Sequence, residues 1–90
     1  MATYRSKVVE IEAFKLPHPY YEPEEWILFK LWASGEGLKD FDEKYNGIVI
    51  PTLEGNMLVN YGDYVIKGLK GEFYPCKPEI FAMKYELVGE

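Results

Sequence analysis

An α+β fold is predicted for this 90-residue chain, as a single compact domain over residues 1–90. The expected order is an N-terminal strand, one largely apolar helix, an antiparallel β-meander and a short C-terminal helix. Three observations predict it. Proline followed by glutamate, at Pro23-Glu24-Glu25 and at Pro78-Glu79, marks two helix starts. Between them, short runs of branched and aromatic residues are punctuated by turn signals at Asn46-Gly47, Gly55-Asn56, Gly62-Asp63 and residues 68–71. These runs do not alternate with helices, as a parallel sheet would require. Closure of the meander into a small barrel fits the same pattern.

The elements follow in order. Val9, Ile11 and Ala13 alternate with Glu10 and Glu12, which predicts a half-buried strand over residues 7–16. Pro17-His18-Pro19 ends it, because proline has no N–H to give the ladder. Tyr20-Tyr21 lead into a helix expected over residues 23–33 and stopped by Ser34-Gly35-Glu36-Gly37. Residues 38–45 are charged with spaced aromatics and read as a loop. A strand at 48–52 contains Pro51, which favours an edge or a bulge. It turns through 53–56 onto a strand at 57–61, where Met57, Val59 and Tyr61 share a face. Strands at 64–67 and 72–76 flank the turn at 68–71. The helix begun at Lys77-Pro78-Glu79 should reach Lys84, and residues 86–88 read as a final strand.

Composition narrows the classes of function. The net charge is −5, so double-stranded nucleic acid, which needs a basic face, is not an expected partner. The single cysteine, Cys76, permits no internal disulfide and suits a reducing compartment. No apolar run approaches the roughly 20 residues of a membrane helix. The opening residues lack a signal-peptide core, so a cytoplasmic protein without membrane attachment is expected.

Candidates for chemistry are few. His18 stands between two prolines rather than spaced ligands, and reads as a turn residue. Cys76, next to Lys77 and a helix start, has the surroundings of an activated thiol or of an inert strand-end residue. Glu10 and Glu12 would share one strand face, as an acid pair, a cation site or simply a solvated stripe. Gly68 and Gly71 with their lysines lack the Gly-x-x-x-x-Gly-Lys-Ser/Thr spacing of a phosphate loop. Ser6 and Ser34 lie in no nucleophile context. Neither an enzyme nor a cofactor or metal site is expected.

The mixture of Tyr64, Lys67, Lys70, Phe73, Tyr74 and Lys77 is the candidate binding surface. Rings stack on planar groups, and lysines complement phosphates or carboxylates. Its alternative is a two-faced sheet with Phe73 inside and the lysines solvated. The helix Trp26, Ile27, Leu28, Phe29, Leu31, Trp32 and Ala33 is apolar nearly all round and needs cover on more than one side. Either a second subunit supplies it, through Trp26, Phe29 and Trp32, or Lys30 snorkels and residues 38–45 lie over that side.

The later part of the chain also carries a resemblance. Thr52-Leu53-Glu54-Gly55-Asn56-Met57, Gly62-Asp63-Tyr64-Val65-Ile66-Lys67-Gly68 and Gly71-Glu72-Phe73-Tyr74-Pro75-Cys76-Lys77-Pro78-Glu79-Ile80-Phe81 resemble the C-terminal signature of small uncharacterised proteins of tailed bacteriophages and prophages. The resemblance covers roughly the last 40 residues and transfers no catalytic residue or cofactor. It implies a phage accessory protein in the host cytoplasm that engages or inhibits a host protein without turnover. An oligomeric sponge for a host signalling nucleotide, or a minor virion component, are the other functions it leaves open.

Overall fold

The computed structural model describes residues 1–88 and has the expected α+β architecture. Eight elements run in the order β1 (Glu12–Lys15), α1 (Pro23–Glu36), β2 (Asp42–Lys44), β3 (Gly47–Thr52), β4 (Gly55–Asn60), β5 (Tyr64–Lys67), β6 (Phe73–Cys76) and α2 (Pro78–Lys84). The strands make two antiparallel sheets, ordered β1-β5-β6 and β2-β3-β4, rather than a closed barrel.

The length of β5 sets the first sheet. Glu12 pairs with Lys67 and Lys15 with Tyr64, and after Lys67 the chain turns away. Residues upstream of Glu12 therefore have no neighbour to pair with. The strand expected over 7–16 is confined to Glu12–Lys15 for this reason, although its alternation continues upstream. Val8 and Val9 are exposed instead of half-buried.

Helix α1 begins where proline and two glutamates favour it, and it runs three residues past the expected stop. Gly35 is absorbed into the helix. The left-handed cap is Gly37, at φ 103°, with the Leu38 N–H donating to the Ala33 carbonyl at 2.8 Å. Residues 38–45, expected as a loop, include strand β2 paired with the start of β3. All three β2 residues are charged and exposed, so no apolar alternation announced them.

Strand β3 is the centre of the second sheet. It starts at glycine for a steric reason: a Cβ on Gly47 would run into the backbone carbonyl of Val59 on β4. Pro51 lies beyond the stretch that β2 covers, so β3 is locally an edge there, as expected. Gly55, at φ 101°, closes the hairpin to β4. Met57 is exposed on β4, while Val59 is buried.

The inward face of α1, Trp26, Phe29 and Ala33, packs over both sheets against Ile48, Ile50, Val59, Val65 and Phe73. Phe41 closes the side of this core, with its ring 5.8 Å from Phe29 and 6.1 Å from Trp26. Helix α2 covers the opposite face of the first sheet, where Phe81 stacks on Tyr64 at 3.8 Å and 4°. Residues 86–88, expected as a strand, form none. Among the described residues no helix is long and apolar enough to cross a membrane.

Candidate functional site

Strand alternation separates the six residues predicted as one binding surface. In the β5–β6 pair, Lys67 lies opposite Phe73, and Tyr64 opposite Cys76. Directly opposed residues share a face, and neighbours along a strand do not. Lys67 and Phe73 therefore face α1, whereas Tyr64 and Tyr74 face α2. Lys70 is exposed in the turn between them, and Lys77 follows β6 at the start of α2.

Five of the six side chains have a partner within the fold. The Lys67 ammonium donates to Glu36 Oε1 at 2.7 Å, tying β5 to the last turn of α1. That hydrogen bond pushes the Lys67 pKa above its ordinary value, against the opposing effect of desolvation. Lys77 donates to Asp63 Oδ2 at 2.9 Å, and the same oxygen accepts the Asn60 N–H at 3.1 Å. Asp63 is only 5% exposed, so the lysine neutralises a buried carboxylate that also closes the turn before β5. Phe73 is a core residue. Burial, followed by a hydrogen bond with Tyr85, pushes the Tyr74 phenol up to about 12. At the turn, Glu72 Oε1 accepts the Lys70 N–H at 2.9 Å. The alternative weighed for this set, a two-faced sheet with Phe73 inside, describes the ring correctly. It misses that two of the lysines are ion-paired rather than merely solvated.

The thiol and the histidine take the plainer of their readings. Burial pushes the Cys76 thiol up, only partly offset by Lys84, so it stays protonated near neutrality. His18 is a turn residue whose Nδ1 accepts the backbone N–H of Tyr20 at 3.1 Å, with its ring between Tyr21 and Tyr61. Glu10 and Glu12 do not form a pair on one strand face. Glu10 precedes β1, and Glu12 Oε1 accepts the Trp32 Nε1–H at 3.3 Å.

The residues assigned to an oligomer contact are turned inward. Trp26 and Phe29 are buried in the core of the single chain, and Trp32 is half-buried against Phe14 and Phe73. The loop-side cover considered for the second flank is present, supplied by Leu38 and Phe41. What it leaves open is the face of α1 pointing away from the sheets. Ile27, Leu28 and Leu31 are there 54%, 51% and 66% exposed. At 100° per residue, Leu31 lies opposite the centre of the buried trio Trp26, Phe29 and Ala33, with Ile27 and Leu28 on either side of it. Glu24 shares this outward face at the helix start. Two surface recesses of about 400 and 320 Å³ flank Thr52, Glu72 and Phe73 on another side of the molecule.

The outward trio was findable in the sequence. Once Trp26, Phe29 and Ala33 are taken as the inward i, i+3, i+7 positions, residues 27, 28 and 31 must face away. The recess residues Leu53 and Met57 were not findable. Their approach to Phe73 and Pro75 depends on how two hairpins pack, which no local pattern encodes. No protein family, curated protein or solved structure matches this chain.

Proposed function

We propose that this chain is a small non-catalytic binding protein that holds a partner protein on the outward face of α1. One observation carries the reading: Ile27, Leu28 and Leu31 form an apolar stripe that the described residues leave uncovered. Single exposed apolar residues are ordinary, but three contiguous ones on one helix face mark a contact surface. The stripe is held in shape before binding. Gly37 caps the helix and the Lys67–Glu36 pair ties its end to the sheet. Little ordering cost then remains to be met on association.

Chemistry narrows the partner. Glu24 shares the outward face at the helix start and the chain is acidic overall, so an apolar groove edged by lysine or arginine complements it. The resemblance to small phage proteins supports a host protein as that partner and interference with it as the outcome. Lys67 and Lys77, two of the lysines expected to meet phosphates, are each held by a carboxylate. That supports a protein partner ahead of a nucleotide.

Affinity capture from bacterial host lysate with the native chain and with Leu31→Glu tests this, followed by titration of the purified partner. Burial of a charge at the centre of the contact should weaken binding at least tenfold, whereas Lys70→Glu should leave it within about twofold. Equal binding by the native chain and Leu31→Glu would remove the helix from the account.

A further inference from the structure

Two features away from α1 complement each other. The first is the leading segment. Residues 1–9 are exposed and pair with no strand among the described residues, with Tyr4 90% and Val8 97% accessible. Arg5 and Lys7 are its only charged side chains, and all fifteen carboxylates of the chain come after it. The second is the recess of about 320 Å³ between the β3–β4 hairpin and β6. Leu53, Met57, Phe73 and Pro75 make it apolar, and Glu54 and Glu72 make it acidic. Leu53, at the hairpin tip, is 79% exposed.

We infer that residues 4–9 of one copy dock in this recess on a second copy. An extended segment puts Tyr4 and Val8 on one side. The long arms of Arg5 and Lys7 can bend from the other side to reach carboxylates at the margin. The recess lies near the lower end of ligand-pocket sizes, which suits one or two side chains rather than a whole cofactor. Glu12, Lys67 and Phe73 lie in one row across the first sheet, so the segment leaves the fold on the row that holds the Phe73 of the recess. Exchanged between two copies about a two-fold axis, the contact would close as a dimer. The cation–carboxylate contacts make association fall with salt, because exposed charges are screened over about 8 Å at physiological ionic strength. The contact uses neither Ile27, Leu28 nor Leu31, so its failure would leave the α1 proposal untouched.

Sedimentation velocity of the full chain, over concentrations up to about 0.2 mM, gives the test. Two charge-inverted variants accompany it: Glu54→Lys in the recess, and Arg5→Glu with Lys7→Glu in the segment. All three positions are exposed, and circular dichroism melts check that both variants fold. The native chain should dimerise in low salt and dissociate as salt rises. Each variant alone should be monomeric: the segment variant sets like charges against each other, and in the recess variant the lysine introduced at position 54 offsets Glu72 and repels Arg5 and Lys7. Mixing the two variants should restore a dimer, since one contact is then the native pairing and the other sets the lysine at position 54 against the glutamates at positions 5 and 7. A native chain that stays monomeric throughout would overturn the inference. So would a dimer that survives in both variants alone, or a mixture that remains monomeric. A monomer whose Arg5 and Lys7 resist trypsin would place the segment in its own chain's recess, and would overturn it too.

Discussion

Replacing Phe29 by alanine should cost about 3–5 kcal/mol of folding free energy, while Leu31→Gln, two positions along the same helix, should cost less than about 1 kcal/mol. Phe29 has no exposed surface, and the rings of Phe14, Trp26, Phe41 and Trp32 lie between 5.5 and 6.2 Å from it. Transfer of its side chain from water contributes about 1.5–3 kcal/mol, and the void left among four rings adds the rest. A domain of this length has roughly 5–13 kcal/mol in all, so the change removes about a quarter of it or more. Leu31 is already 66% exposed, so it has only about a third of a leucine's burial to lose, and glutamine matches leucine in helix propensity. Urea unfolding followed by tryptophan fluorescence suits both variants, because Trp26 and Trp32 belong to the same cluster. Phe29→Leu, which leaves a smaller void, serves if the alanine variant does not fold. A loss above about 2 kcal/mol at Leu31, or below about 1 kcal/mol for Phe29→Ala, would refute the division of α1 into an inward and an outward face.

Other outcomes follow from single contacts. Gly47→Ala should destabilise by about 2–3 kcal/mol, because its Cβ would meet the Val59 backbone, whereas Gly35→Ala, with open space around it, should gain about 0.5 kcal/mol in thermal or urea unfolding. Lys77→Met should cost about 1–2 kcal/mol by leaving the buried Asp63 carboxylate with only the Asn60 N–H, and Lys70→Met should stay within about 0.5 kcal/mol. Alkylation of Cys76 in the folded chain should show a midpoint above pH 9.0, measured as rate against pH with the unfolded chain as reference. The sign follows from the raised folded pKa: the protonated thiol's contribution to stability is present below about pH 9 and is lost as pH rises through the folded value. A midpoint below that of the unfolded chain would mean an activated thiol.

Local chemistry made the backbone of the fold legible. Proline–glutamate pairs located both helix starts, and glycine-bearing turns located β3 to β6 to within about two residues. The failures share one cause, the identity of the neighbour. The alternation upstream of Glu12 is genuine strand sequence, yet it goes unpaired because β5 ends at Lys67. Strand β2 has no apolar residue of its own and exists because β3 offers an edge. The six-residue surface failed as a unit for a different reason. Positions 64, 67, 73 and 74 are close in sequence, but the register puts two on each face. The partners of Lys67 and Lys77, Glu36 and Asp63, lie 31 and 14 positions away, beyond any local pattern.

A photo-reactive phenylalanine analogue placed singly at 31, 70 or 80, in chains produced inside bacterial host cells, tests the α1 surface most directly. A protein held on the outward stripe should be trapped from position 31 as one discrete adduct, and not from exposed positions 70 and 80 elsewhere on the molecule. Trapping from 70 or 80 with none from 31, or no adduct at any of the three, would contradict the claim that this helix face is where the chain does its work.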